Sequence, residues 1–136
     1  MDHRGIPGNP GRVVTLVASA NIVCPGIAYR LSADVIESTL EHLDYRERGG
    51  YERLVIELSL VNGKLVSGFT YFADEHNRNY LGAADTQTIA NQVAQASGPS
   101  GRNSEYVYRL EAALDEIDSQ DQHVTDIATR LRLLES

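Results

Sequence analysis

Two adjacent glycines, Gly49 and Gly50, stand where a helical repeat stops and a strand repeat begins. Before them, Ser32 is a candidate cap for a helix running through Asp34 to about Tyr45, with Asp34 and Glu37 in its first turns. Ile36, Leu40 and Leu43 fall at i, i+4 and i+7, so that helix buries one stripe. After them, Leu54, Ile56, Leu58 and Leu60 alternate with Val55, Glu57 and Ser59, which predicts a strand over Glu52 to Val61 with one wet face. Asn62-Gly63 is a hairpin signal, and Lys64 to Ala73 returns as the partner strand. The stretch HLDYRERGGYERL, His42 to Leu54, is therefore the joint on which the rest must be arranged.

The flanks follow from the same rules. Gly5, Gly8, Gly11, Pro7 and Pro10 make the first eleven residues an irregular segment. Arg12 to Ser19 is β-branched and nearly all apolar, which predicts a strand buried on both faces, and Gly26 to Leu31 predicts another. Asp74 to Ala84 reads as a polar loop. Helices then take over. One opens at Asp85 or Thr86, carries Ile89 and Val93, and ends by Gly98-Pro99. The next opens at Asn103 or Ser104, with Val107, Leu110, Leu114 and Ile117 on its stripe. The last follows Asp121, with Val124, Ile127, Leu131 and Leu134. Strands early and helices late predict an α+β chain, and 136 residues fit a single domain over 1–136.

The net charge of -7 argues against nucleic acid, whose phosphates need a basic face. No apolar run has the length of a membrane span, so no membrane partner is expected. Cys24 is the only cysteine, which excludes an internal disulfide framework and fits a cytoplasmic location.

Glu47 is the candidate for proton transfer. It stands between Arg46 and Arg48 at a helix end, and burial would raise its pKa towards neutrality. A solvated Arg-Glu-Arg turn with weak surface pairing is the competing reading. His3, His42, His76 and His123 lack ligand spacing, and the nearest cluster, Asp74, Glu75 and His76, reads as a solvated loop, so no metal is expected. GPSGRN, Gly98 to Asn103, resembles an anion-cradling turn but lacks a lysine and a preceding strand, and so reads as a helix–helix connection. Tyr106 and Tyr108 are two residues apart on one helix and cannot share a face. No serine has the flanking glycines of a nucleophile elbow.

Four segments in order carry a resemblance: DHRGIPGNPGRVVTLV (2–17), GIAYRL (26–31), LDYRERGGYER (43–53), and NYLGAAD followed by GPSGRNSEY (within 79–106). Together they resemble the ChaC-like glutathione-specific γ-glutamylcyclotransferases. The resemblance implies a small mixed β-barrel or curled sheet flanked by helices. It also implies cleavage of glutathione by intramolecular cyclisation to 5-oxoproline and cysteinylglycine, without metal or organic cofactor. The family's catalytic glutamate falls on Glu47, and its substrate-contacting arginine in the HRG segment falls on Arg4. A substrate-contacting tyrosine falls on Tyr71 when TYFADEHNRNYLG is aligned through Tyr80.

Members of the family begin with a strand and a YGSL-type turn whose backbone groups hold the γ-glutamyl moiety and the oxyanion. This sequence starts at the DHRG loop that follows them, and YLGAAD replaces the family's YLGPAP. The expectation is thus an N-terminally truncated domain with its N-terminal strand missing and an unpaired sheet edge open to dimerisation. Two alternatives stay open: an inactive remnant that keeps the fold, and a cyclotransferase for other γ-glutamyl amines.

Overall fold

The computed structural model describes residues 3–17, 19–47, 50–73, 76–77 and 79–136, leaving out the Arg46 side chain. Its elements are α1 (Ile36–Arg46), β1 (Glu52–Ser59), β2 (Leu65–Phe72), α2 (Thr86–Gln95), β3 (Ser97–Gly98), β4 (Gly101–Arg102), α3 (Asn103–Glu116) and α4 (Gln122–Glu135). The result is mixed helix and antiparallel sheet, as the sequence predicts. Among the described residues there is no closed barrel: β1 pairs with β2, and β3 with β4. No described helix is long and apolar enough to cross a membrane. The chain gathers into two compact units, one of Thr15–Ser19 and Tyr29–Tyr80, the other of Asp2–Val14, Ala20–Ala28 and Leu81–Ser136.

In the first unit the β1–β2 hairpin forms where the alternation places it, with Arg53 opposite Tyr71 and Val55 opposite Phe69. Its loop is one residue longer than an Asn-Gly pair. Gly63 N–H donates to Leu60 O at 2.8 Å, Leu60 N–H to Lys64 O at 2.9 Å, and Gly63 takes φ +80. That is a three-residue loop closed by a left-handed glycine, a geometry a side chain at 63 would strain. Helix α1 starts at Ile36 rather than near Ser32. The residues before it form a turn in which Val35 N–H donates to Ser32 O, and the N-cap, Val35, offers no side-chain cap. Bonding to the Ser32 hydroxyl instead holds the Asp34 carboxyl below its usual range.

The second unit is a three-helix pack. Ile89, Ala90 and Val93 of α2, Val107 of α3, and Ile127, Ala128 and Leu131 of α4 form its core. Ala90 and Ala128 are fully buried, and their small size removes bulk from the helix faces that carry them. The caps follow sequence. Asp85 accepts from the N–H groups of Gln87 and Thr88 and from the Thr88 hydroxyl, and Asp121 accepts from Val124 N–H. Asp118 at φ 52 ends α3 in a Schellman motif, with Ser119 N–H reaching Leu114 O at 2.9 Å and Asp118 N–H reaching Asp115 O at 3.0 Å. Leu134, expected on the α4 stripe, is 48% exposed, one turn beyond the core.

GPSGRN does connect two helices, and within it β3 and β4 form a minimal hairpin. The irregular N-terminal segment lies on this hairpin backbone to backbone. Ser100 N–H donates to His3 O at 2.9 Å, and a Cβ at Gly98 would sit 2.5 Å from both Gly5 N and His3 O. Further on, the fully buried Asn103 side chain accepts from Arg12 N–H at 2.6 Å and donates to Arg12 O at 2.7 Å. The Arg12 guanidinium donates in turn to Gln92 Oε1 and to the carbonyls of Gly82 and Leu81.

The strands expected over Arg12 to Ser19 and Gly26 to Leu31 are absent from the described residues there. Strand-forming residues need a ladder partner, and no described strand pairs with this stretch. Apolar side chains of both stretches are exposed, Val17 at 63% and Ile27 at 59%.

Candidate functional site

The first unit carries an open cleft of about 340 Å³ lined by Asp44, Tyr51, Arg53 and Tyr71. Each wall has a local cause. Asp44 sits in the last turns of α1. Gly50 takes φ +101 and is pinned by Asn77, whose Nδ2 donates to Gly50 O at 3.0 Å; this turns the chain so that Tyr51 enters the wall before β1 begins. The strand register then sets Arg53 opposite Tyr71, so both point from one face of the hairpin.

Hydrogen bonds tie these groups together. The Asp44 carboxylate accepts from the Tyr71 hydroxyl and from Arg53 Nη1, the latter at 3.0 and 3.2 Å. The Arg53 guanidinium also lies 5.8 Å from the centre of the Phe69 ring, and Phe69 meets Tyr71 edge to face. Desolvation, then the bond to Asp44, raises the Tyr71 phenol above its ordinary pKa, so it stays protonated and neutral at physiological pH.

Glu47 is the C-cap of α1, half-buried, three residues past Asp44. Its N–H donates to Leu43 O, and its carbonyl accepts from Tyr51 N–H. The arginine pair expected around it, the Arg46 side chain and Arg48, lies outside the described residues, as do Gly49, Asp74 and Glu75. Arg4 belongs to the second unit. Its Nη1 donates to Arg102 O at 3.0 Å and approaches Glu105 Oε2 at 3.4 Å, and its guanidinium stands 5.8 Å from the Tyr106 ring centre. Tyr106 and Tyr108 have separate duties: the Tyr106 hydroxyl accepts from Val14 N–H, whereas Tyr108 donates to Glu135.

The sequence names Tyr71 and Glu47 of the first unit, and does not single out Asp44 and Arg53, which bond to one another at the same cleft. The available signal was the spacing Asp44–Glu47, i and i+3 on one helix. No group of three or more His, Cys, Asp and Glu side chains is gathered among the described residues.

A family model described as "ChaC-like protein" matches residues 1–133. The chain belongs to the ChaC-like family. This ChaC-like chain is 39% identical to "Gamma-glutamylcyclotransferase 2-3" of Arabidopsis thaliana over 96% of its own length and 70% of that relative. It is 32% identical to the "Glutathione-specific gamma-glutamylcyclotransferase" of Escherichia coli (strain K12) over 96% of its own length and 57% of that relative. It therefore spans between just over half and about seven tenths of these curated relatives. Among solved structures, a γ-glutamylcyclotransferase specific to glutathione from yeast superposes with a TM-score of 0.80 at 25% identity, covering 100% of this chain and 83% of the yeast chain.

Proposed function

We propose that this ChaC-like chain is a cytoplasmic glutathione-specific γ-glutamylcyclotransferase. Residues 1–136 act as one ChaC-like domain, a reading supported by a family match that runs unbroken through both units. The β1–β2 hairpin is its described part of a curled sheet of the barrel type.

In the reaction, the substrate's α-amine transfers a proton to Glu47 and attacks its own γ-carbonyl. The tetrahedral species collapses as Glu47 returns that proton to the leaving amide nitrogen, releasing 5-oxoproline and cysteinylglycine. One carboxylate serves as base and then acid, and no other co-reactant enters. Since nucleophile and electrophile belong to one molecule, holding the glutamyl arm folded contributes much of the rate. Tyr71 contacts that arm. Arg4 exchanges Glu105 for a substrate carboxylate, which also offsets the repulsion between an acidic protein and an anionic peptide.

The observation that carries the reading is the cleft in which Tyr71 is fixed to Asp44, one helical turn before Glu47. The test is incubation of the purified chain with glutathione, following 5-oxoproline and cysteinylglycine. Stoichiometric appearance of both supports it, and a folded chain that yields neither overturns it. A panel of γ-glutamyl amines in the same assay separates glutathione specificity from the broader activity.

A further inference from the structure

The outer edge of β1 is patterned to match itself. Leu60 N–H donates to Lys64 O, so in the register of the hairpin the even-numbered residues of β1 direct their backbone groups to β2. The N–H and C=O groups of Arg53, Val55 and Glu57 therefore point the other way, and they have no backbone partner among the described residues. All three side chains are exposed on one face, Val55 at 80%. Along the edge they read positive, apolar, negative, an order that a twofold axis through Val55 turns into its own complement. The edge of β2 lacks such an order. Ser67, Phe69 and Tyr71, whose backbone groups line it, carry no ionised side chain, and the Thr15 hydroxyl bonds to Ala73 O at its end.

We propose that β1 pairs antiparallel with β1 of a second copy of this chain, across a twofold axis at Val55. A four-stranded sheet results, ordered β2–β1–β1–β2. The two Val55 residues exchange backbone hydrogen bonds on the axis, and Arg53 of each copy stands opposite Glu57 of the other, about 5.5 Å apart at Cα. Arg53 keeps its bonds to Asp44, which engage Nη1, and a guanidinium carries five N–H donors. On the opposite face Leu54 meets Ile56 of the second copy, extending the apolar side of the hairpin. No other register does as well. An axis at Arg53 or Glu57 sets like charges against each other, and one at Leu54 or Ile56 leaves neither charge directly opposite the other. The interface is isologous, so this edge is consumed at two copies.

Sedimentation velocity of the purified chain over a wide range of concentration tests this, with far-UV circular dichroism confirming that each variant is folded. The native chain should form a dimer. Glu57→Arg sets arginines opposite each other at two symmetric positions and should weaken the dimer by about tenfold or more, an effect that added salt reduces. Val55→Pro removes the outward N–H on the axis while sparing the bonds of β1 to β2, and should leave the chain monomeric. Val55→Lys takes its place if the proline variant does not fold, since two like charges then meet on the axis. A native chain that stays monomeric at every concentration overturns the proposal. So does a dimer that Glu57→Arg and the Val55 variants leave intact, or an assembly that grows beyond two copies.

Discussion

The Tyr71 hydroxyl donates to the Asp44 carboxylate, latching the second strand of the β1–β2 hairpin to the last turns of α1. Tyr71→Phe should loosen that latch at a cost of roughly 1 kcal/mol, a typical net value for one hydrogen bond. The effect has a pH signature. The folded-state pKa of Tyr71 is raised above 10.0, so its contribution is present below pH 10 and is lost as pH rises through the raised value. Urea unfolding at successive alkaline pH values should show a steeper loss for the native chain than for Tyr71→Phe. Parallel curves would mean the latch carries no stability.

Glu47→Gln should abolish turnover and leave the melting temperature nearly unchanged. The amide keeps the shape of the half-buried C-cap of α1 but cannot shuttle a proton. Residual activity above a few per cent would remove Glu47 from the acid/base role.

Asn103→Ala should be among the most damaging single changes in the helical unit. The side chain is fully buried and satisfies both the N–H and the C=O of Arg12, so its loss strands two backbone groups, on the order of 2–4 kcal/mol. Calorimetric unfolding would show the drop. A change near zero would mean water replaces the amide without cost.

The Asp85 cap gives a second pH handle, at the acid end. Bonds from Thr88 and Gln87 hold its pKa below 3.8, so its contribution is present above that value and lost as pH falls through the lower folded one. Asp85→Asn keeps an acceptor for the N-terminal N–H groups of α2 but removes the titration. Its unfolding midpoint should therefore fall less steeply than that of the native chain between neutral and strongly acid pH; identical slopes would exclude Asp85 as a source of acid lability.

What could be read from the sequence was local. Asn62-Gly63 marked the hairpin, and Asp85 and Asp121 marked helix starts, because each acts on backbone groups within a few residues. The strands expected over Arg12 to Ser19 and Gly26 to Leu31 are absent from the described residues for the complementary reason. β-branched apolar residues report what a segment does beside a partner strand, and they are silent on whether one pairs with it. The site divided the same way. Glu47 and Tyr71 are named through motifs that resemble a family's. Asp44, in the last turns of α1, and Arg53, on β1, carry no motif of their own. The loop at residues 61–63 sets the pairing of Arg53 with Tyr71, whereas the approach of Asp44 on α1 to that pair is something no window of neighbouring residues encodes.

The bare contact of Gly98 with Gly5 N and His3 O bears on how this region changes over evolutionary time. No side chain lies between the two segments to be trimmed or swapped, so a methyl group at residue 98 has no one-step compensation elsewhere. Residue 98 is therefore close to a dead end for gradual divergence, and descendants should vary through walls built of side chains while inheriting this seam unaltered.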